Sequence, residues 1–348
     1  MRYKLLGKSG LRVSELCLGT MTFGEEWGFG ADKDESKMIF EAYAEAGGNF
    51  IDTANKYTNG TSEMFVGEFI SSNRDKFVMA TKYTLSMDPD DPNSSGNHRK
   101  NLAQSVEASL KRLGTEYIDL LWVHAWDPMT PVEEFMRALD DLVSAGKLFY
   151  VGISDAPAWI VSQANTMAAL RGWSPFVGIQ IKYSLLDRTP ERDLLPMAKA
   201  FDIGVTAWSP LGGGVLTGKY NQQSSDPKRY GPEDPFGKMM LTDRNLAIAA
   251  KVHQIAGEIG RTPSQVALRW LLQQNDRGVI MPIIGARSKA QLADNLGCLE
   301  FEIEAKALEV LDSLSRIEPG FPHDFLEYEE VRSTVYGNTF SLIDNHRK

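Results

Sequence analysis

The sequence predicts an α/β fold in which eight parallel strands close into a barrel. Three observations point there. Eight short apolar runs alternate with amphipathic stretches along the chain, the pattern of parallel strands joined by helices. No G-x-G-x-x-G turn follows the first run, as an open nucleotide-binding sheet would usually require. The length of 348 residues suits one barrel with long loops, since such barrels often run to about 250 residues or more as a unit.

The elements follow in order. Residues 2–13 read as an N-terminal hairpin. Strand-like runs come at 16–19 (LCLG), 49–52 (NFID), 77–82 (FVMATK) and 117–124 (YIDLLWVH). Four more come at 149–153 (FYVGI), 178–182 (GIQIK), 203–208 (IGVTAW) and 279–284 (VIMPII). Between them, residues 98–113 put Leu102, Val106, Leu110 and Leu113 on one helical stripe. Residues 131–145 do the same with Val132, Phe135, Met136, Leu139, Leu142 and Val143. Gly114 and Gly146 stand where helices stop, and Pro131 and Pro263 at first turns. Two segments break the rhythm. Residues 209–243, rich in Gly, Pro and Asp, exceed an ordinary strand-to-helix loop, and 317–348 read as an irregular tail. The expected architecture is therefore a (β/α)8 TIM barrel over 1–348, one domain, with an N-terminal hairpin and long loops at the C-terminal rim.

Composition narrows the function classes. A net charge of −9 without a long Lys/Arg run argues against nucleic acid and anionic membranes as partners. Cys17 and Cys298 stand far apart with no Cys/His cluster, so neither a disulfide framework nor a metal site is expected. The start MRYKLLGKSGLRVSEL has no apolar signal core, and no apolar run approaches the roughly 18 residues that span a bilayer. A soluble, cytoplasmic protein is expected. Gly213–Lys219 matches GxxxxGK, but Tyr220 stands where a P-loop needs Ser or Thr for Mg²⁺, so that reading is set aside.

In such a barrel the strand C-termini form the active rim. The second run ends in Asp52, with Tyr57 five residues on; the third ends in Lys82 and the fourth in His124. The next three end in Ser154–Asp155, Gln180 and Trp208–Ser209. A tyrosine with an ordinary pKa near 10 is a sluggish acid at neutral pH. A lysine ammonium beside it would lower that value, and a carboxylate would keep the lysine charged and aimed. A histidine donor could hold a carbonyl oxygen within reach of the hydroxyl. The set suits polarising a carbonyl while hydride reaches its carbon, and the hydride must come from a cofactor.

The stretch GNFIDTANKYTNGTSEMFVGE at 48–68 resembles the signature of the aldo-keto reductase superfamily. So do LGTMTFG at 18–24, LKRLGTEYIDLLWVHAWDP at 110–128 and GKLFYVGISD at 146–155. AWSPLGGGVLTGKY at 207–220 and IIGARSKAQLADNL at 283–296 complete a match along nearly the whole chain, in a style closer to bacterial and potassium-channel-β-like branches than to aldose reductase. The resemblance implies a catalytic tetrad of Asp52, Tyr57, Lys82 and His124. It implies a nicotinamide whose carboxamide is held by Ser154, Asp155 and Gln180, with Asp155 replacing the more common asparagine, and with Ser209 beside them. Trp208 takes the position of an aromatic ring stacked on the nicotinamide, its alternative being a core tryptophan. Leu211, Gly212, Gly214 and Leu216 match the loop along the pyrophosphate, where bare backbone lets phosphate approach N–H groups. Gly285, Ala286, Arg287, Gln291, Asp294 and Asn295 match the adenosine contacts, Gln291 standing where many members carry arginine. Arg287 as a 2′-phosphate clamp argues for NADPH over NADH.

The substrate side is open: Met21, Phe23, Trp27 and Trp126 either wall an apolar pocket or pack beneath a lid. The leading expectation is an NADPH-dependent aldehyde and ketone reductase acting on small carbonyl substrates. Beside it stand an NADP(H)-sensing regulatory module and a Schiff-base aldolase using Lys82. The sequence does not distinguish a monomer from a homo-oligomer.

Overall fold

The computed structural model of the chain describes residues 1–221, 228–231 and 233–346. The parts of the long loop at 222–227 and 232, and residues 347–348 of the tail, lie outside the described residues. The chain opens with an antiparallel hairpin, β1 (Tyr3–Leu5) against β2 (Arg12–Ser14), with Tyr3 opposite Ser14. Then come β3 (Cys17–Gly19), β4 (Phe50–Asp52), β5 (Val78–Tyr83) and β6 (Ile118–Val123). They are followed by β7 (Leu148–Ser154), β8 (Phe176–Lys182), β9 (Gly204–Trp208) and β10 (Ile280–Gly285). All eight pair in parallel with their sequence neighbours, and β10 closes the ring onto β3. The fold is a (β/α)8 barrel.

Helices cover the outside, which is why the strands read as continuous apolar runs rather than alternating ones. In chain order they are α1 (Lys33–Glu45), α2 (Thr61–Ile70), α3 (Arg99–Leu113), α4 (Val132–Ser144), α5 (Ala158–Arg171) and α6 (Leu194–Phe201). Next come α7 (Pro235–Met240), α8 (Asp243–Glu258), α9 (Pro263–Leu272), α10 (Lys289–Leu296) and α11 (Ala305–Ser315). Local chemistry sets the ends. His98 caps α3 by accepting the Asn101 N–H, and Gly114 stops it in a left-handed conformation. Thr262 and Gln265 form a reciprocal capping box ahead of α9, with Pro263 in its first turn. Pro131 falls just before α4 with an extended ψ of 141°, one residue earlier than the first turn expected for it.

Inside the barrel the bulk is supplied by Trp122 on β6. Gly152 and Gly178 on the next two strands make room for it: a Cβ at either would stand 2.4 Å or 2.8 Å from indole carbons. Leu6 and Val13 of the hairpin join this interior cluster with Phe50, Leu120 and Met281. The hairpin thus plugs the N-terminal mouth and leaves the opposite one, at the strand C-termini, for chemistry. A cleft of about 530 Å³ does lie at the plugged end, but its two lysines, Lys4 and Lys199, are spent on backbone carbonyls.

The tail corrects one expectation. The tail after α11 is not irregular throughout: it contains α12 (His323–Glu327), α13 (Glu329–Tyr336) and a 3-10 turn at Gly337–Leu342. None of the three buries a residue, so nothing in an apolar core marks them in the sequence.

Candidate active site

Four strand ends bring the polar side chains together at the open mouth. Lys82 on β5 is fully buried, and its Nζ donates to the Asp52 carboxylate at the end of β4. The same ammonium reaches the Thr53 carbonyl at 2.9 Å and the Tyr57 hydroxyl at 3.0 Å. The other oxygen of Asp52 accepts from Gln180 Nε2 on β8 at 2.9 Å. All three N–H donors of the buried ammonium are thereby matched, as a buried charge requires. Tyr57 opens a tight turn in which Thr58 and Asn59 take positive φ values of 45° and 56°. Thr58 Oγ1 holds that turn by donating 2.7 Å to the Phe23 carbonyl, a local strain of the kind that concentrates at working sites. His124 follows β6 with its ring edge-on to Tyr57, centroids 5.9 Å apart.

The charges differ from the sequence expectation at one point. Burial pushes the Tyr57 hydroxyl upward by more than the Lys82 ammonium pulls it down, and Asp52 adds to the rise, so its pKa lies above the ordinary value rather than below. Lys82 is opposed by burial, but Asp52 and Tyr57 outweigh that and hold it as an ammonium. Burial, and then the Lys82 charge, drop His124 well below the usual histidine range, so the ring is neutral at neutral pH. Its Nδ1 is buried with no hydrogen-bond partner among the described residues.

Beside this group, Ser154 on β7 lies in register with Gln180 on β8. Asp155 has a φ of 47°, donates its N–H to the Gln180 carbonyl at 3.1 Å, and accepts the Trp208 indole N–H at 3.0 Å. Burial raises the Asp155 carboxyl, and the bonds from Trp208 and Ser154 only partly offset this. Trp208 is not a core tryptophan. It is half-buried at the mouth, its indole pinned by Asp155 and its ring 5.9 Å from the Lys182 ammonium.

The sequence profile of the aldo/keto reductase family matches residues 15–316. The chain belongs to the aldo/keto reductase family. Among its relatives is norsolorinic acid reductase stcV of Emericella nidulans, 38% identical over 328 residues, covering 91% of this chain and 82% of that protein. Aldo-keto reductase ausK of the same organism is 38% identical over 341 residues, covering 93% and 84%. The putative aryl-alcohol dehydrogenase AAD14 of Saccharomyces cerevisiae is 36% identical over 337 residues, covering 93% and 89%. As a member of an aldo/keto reductase family the chain is an oxidoreductase, and small carbonyl compounds are that family's substrates. No helix among the described residues is long and apolar enough to cross a membrane.

The remaining predicted residues continue around the rim of this aldo/keto reductase. After Ser209, itself at a φ of 55°, Gly212, Gly213 and Gly214 all adopt left-handed backbone. Their loop is less open than expected. The N–H groups of Gly212, Gly214 and Leu216 close turns onto the carbonyls of Ser209 and Leu211, and the Leu216 side chain is fully buried in the core. Leu216 and Leu211 therefore shape the loop from beneath. Lys219, set aside with the P-loop match, lies over it: its Nζ is 3.1 Å from where a Cβ on Gly214 would stand. The signal for it was the GK pair itself.

At the far end, Gly285 and Ala286 leave β10 and Ser288 caps α10. Asn295 is buried and braces the Gly285 carbonyl at 3.2 Å, Asp294 accepts from Gln265, and Gln291 accepts the Arg287 N–H at 2.9 Å. Of the substrate-side residues, Trp27 stands edge-on to Tyr57 with centroids 6.3 Å apart, and Trp126 packs against Trp159 at 5.7 Å. Met21 is half-buried on the same loop as Trp27. Phe23 does not reach the mouth. It has no exposed surface and packs edge-on against Phe69 in the core, so it cannot wall a pocket.

Proposed function

We propose that the protein is an NADPH-dependent reductase of aldehydes and ketones with apolar, chiefly aromatic bodies, in which Tyr57 gives the proton. The observation that carries this is the buried Asp52–Lys82–Tyr57 chain at a barrel mouth beside a neutral histidine. When bound, the cofactor supplies hydride from its nicotinamide C4 to the carbonyl carbon.

This chain's residues suit such a group. Ser154, Asp155 and Gln180 offer polar atoms around one point of the rim, Trp208 presents a pinned aromatic face next to them, and Lys219 beside the glycine loop is a cation suited to a pyrophosphate. Gln180 Nε2 is engaged by Asp52, which leaves its oxygen as an acceptor for a carboxamide N–H. Arg287 completes the arc as the cation for a 2′-phosphate.

The proton chemistry follows from the charges. A hydroxyl whose pKa is raised stays protonated and is available to donate. Lys82 then stabilises the phenolate as it forms, so the ammonium acts when the charge develops rather than beforehand. After the alcohol leaves, the phenolate takes a proton from solvent, which restores the starting state. On His124, a proton at Nε2 leaves only a lone pair buried at Nδ1, a smaller cost than a buried orphan N–H, and Nε2–H is then the donor that orients the carbonyl oxygen. A permanently charged, triply hydrogen-bonded Lys82 is a poor amine nucleophile, which weighs against the Schiff-base alternative. Trp27 supplies flat apolar surface beside Tyr57, and Trp126 with exposed Trp159 adds an aromatic pair. The name of the putative aryl-alcohol dehydrogenase relative agrees with aromatic substrates. The buried free thiols Cys17 and Cys298 agree with a reducing compartment such as the cytoplasm.

Fluorescence titration with NADPH and NADH, followed by an aldehyde screen under the better nucleotide, tests the proposal. Binding with steady turnover of aromatic aldehydes is expected. Binding without turnover of any aldehyde would favour a sensing module instead.

A further inference from the structure

The adenosine end of the rim already holds a negative charge. Glu35, in the first turn of α1, is half-buried, and its Oε1 accepts a 2.6 Å hydrogen bond from the backbone N–H of Lys289, the first residue of α10. That N–H is one of the donors a helix N-terminus leaves open and by which it attracts anions. Neighbouring donors are taken as well: Gln291 Oε1 accepts from Arg287 N–H, and Ser288 Oγ accepts from Gln291 N–H at 3.2 Å. Two residues from Arg287, the chain thus seats its own carboxylate on the helix end.

We propose that Glu35 is a cofactor-selectivity residue that disfavours a 2′-phosphorylated dinucleotide relative to one with a free 2′-hydroxyl. The inference rests on the nicotinamide-dependent function proposed above and on the 2′-phosphate role proposed there for Arg287. A phosphate dianion arriving at α10 must displace Glu35 from the Lys289 N–H or sit against its charge, and like charges a few ångströms apart repel. A neutral hydroxyl meets no such penalty, because it can donate to the carboxylate. Glu35 and Arg287 therefore act in opposite directions, and the preference for NADPH is smaller than Arg287 alone would set. The backbone at residue 35 does not depend on its own side chain. Its N–H is held by the Asp32 carboxylate at 2.9 Å, the cap of α1, and that bond survives substitution.

The test uses the full chain, with dissociation constants for NADPH and NADH from fluorescence titration and melting temperatures in each nucleotide; neither readout needs turnover. Glu35→Gln is expected to tighten NADPH about five- to tenfold and leave NADH within about twofold, with a larger NADPH-induced rise in melting temperature. Glu35→Ala, which favours the helix, repeats the test should the first variant fold poorly. Arg287→Ala should do the reverse and weaken NADPH more than NADH. Equal changes for both nucleotides, or weaker NADPH binding in Glu35→Gln, would overturn the role given to Glu35. A wild-type chain that melts cooperatively yet binds neither nucleotide would instead remove the nicotinamide function, and this inference with it.

Discussion

His124 carries the most directional electrostatic consequence of any residue at the mouth. Burial, and then Lys82, hold it neutral well below the usual histidine range. In the unfolded chain it takes a proton near its ordinary value of about 6.5. Below that pH the unfolded state binds the extra proton, so folding stability falls with pH, by up to about 1.4 kcal/mol per pH unit, until folded His124 titrates too. His124→Gln removes this dependence. Between pH 7 and pH 5 the wild type should lose more stability than the variant in denaturant titrations, and equal losses would contradict a neutral imidazole. The four polar identities at this site were legible in the sequence because strand ends in a barrel share one rim. Their charges were not. The direction at Tyr57 depends on how far burial outweighs a neighbouring ammonium, and burial is a property of the folded mouth. Phe23 stayed open between pocket wall and buried packing for the same reason: a rim-loop aromatic reads alike whether it turns toward Tyr57, as Trp27 does, or inward onto Phe69.

At the scale of elements, the barrel strands lie within about two residues of the runs read from the sequence, since two-sided burial forces apolar runs of strand length. What the runs do not show is how the interior is filled. Gly152 and Gly178 read as ordinary strand glycines, yet they are the space into which Trp122 fits. Gly152→Ala would place a methyl 2.4 Å from two indole carbons and 2.9 Å from the Gly178 carbonyl, with backbone on one side and a full ring on the other. Overpacking of this kind costs about 1–3 kcal/mol. A urea-unfolding midpoint lowered accordingly is expected, whereas an unchanged midpoint would show the interior to be looser than described. The tail escaped the pattern from the opposite direction: α12 and α13 bury nothing, so no core-facing stripe announces them.

Across the whole molecule, stability resides in the closed barrel and its helices, and the end of the chain adds little. Phe321 is 84% exposed and Leu342 78%, and a contact from the tail to the body, His323 Nε2 with the Asp193 carboxylate, is exposed at 3.5 Å. A chain ending at Gly320 should unfold within about 0.5 kcal/mol of the full chain, as for other changes at the surface. A loss of several kcal/mol would mean that the tail packs on the barrel. The body, by contrast, works as one device. The hairpin blocks one mouth, Trp122 fills the interior, and the polar strand-end side chains gather at the other mouth.

At that mouth the Tyr57 hydroxyl is held protonated and in contact with a charge able to stabilise its anion. Tyr57→Phe keeps the ring against Trp27 and His124 and deletes only the hydroxyl. With NADPH affinity and aldehyde reduction measured on the same preparation, reduction should fall by about 10²–10⁴-fold, the usual contribution of a general acid, while the dissociation constant stays within about twofold. Reduction that survives the substitution, or nucleotide binding lost with the fold intact, would contradict the assignment of Tyr57 as proton donor.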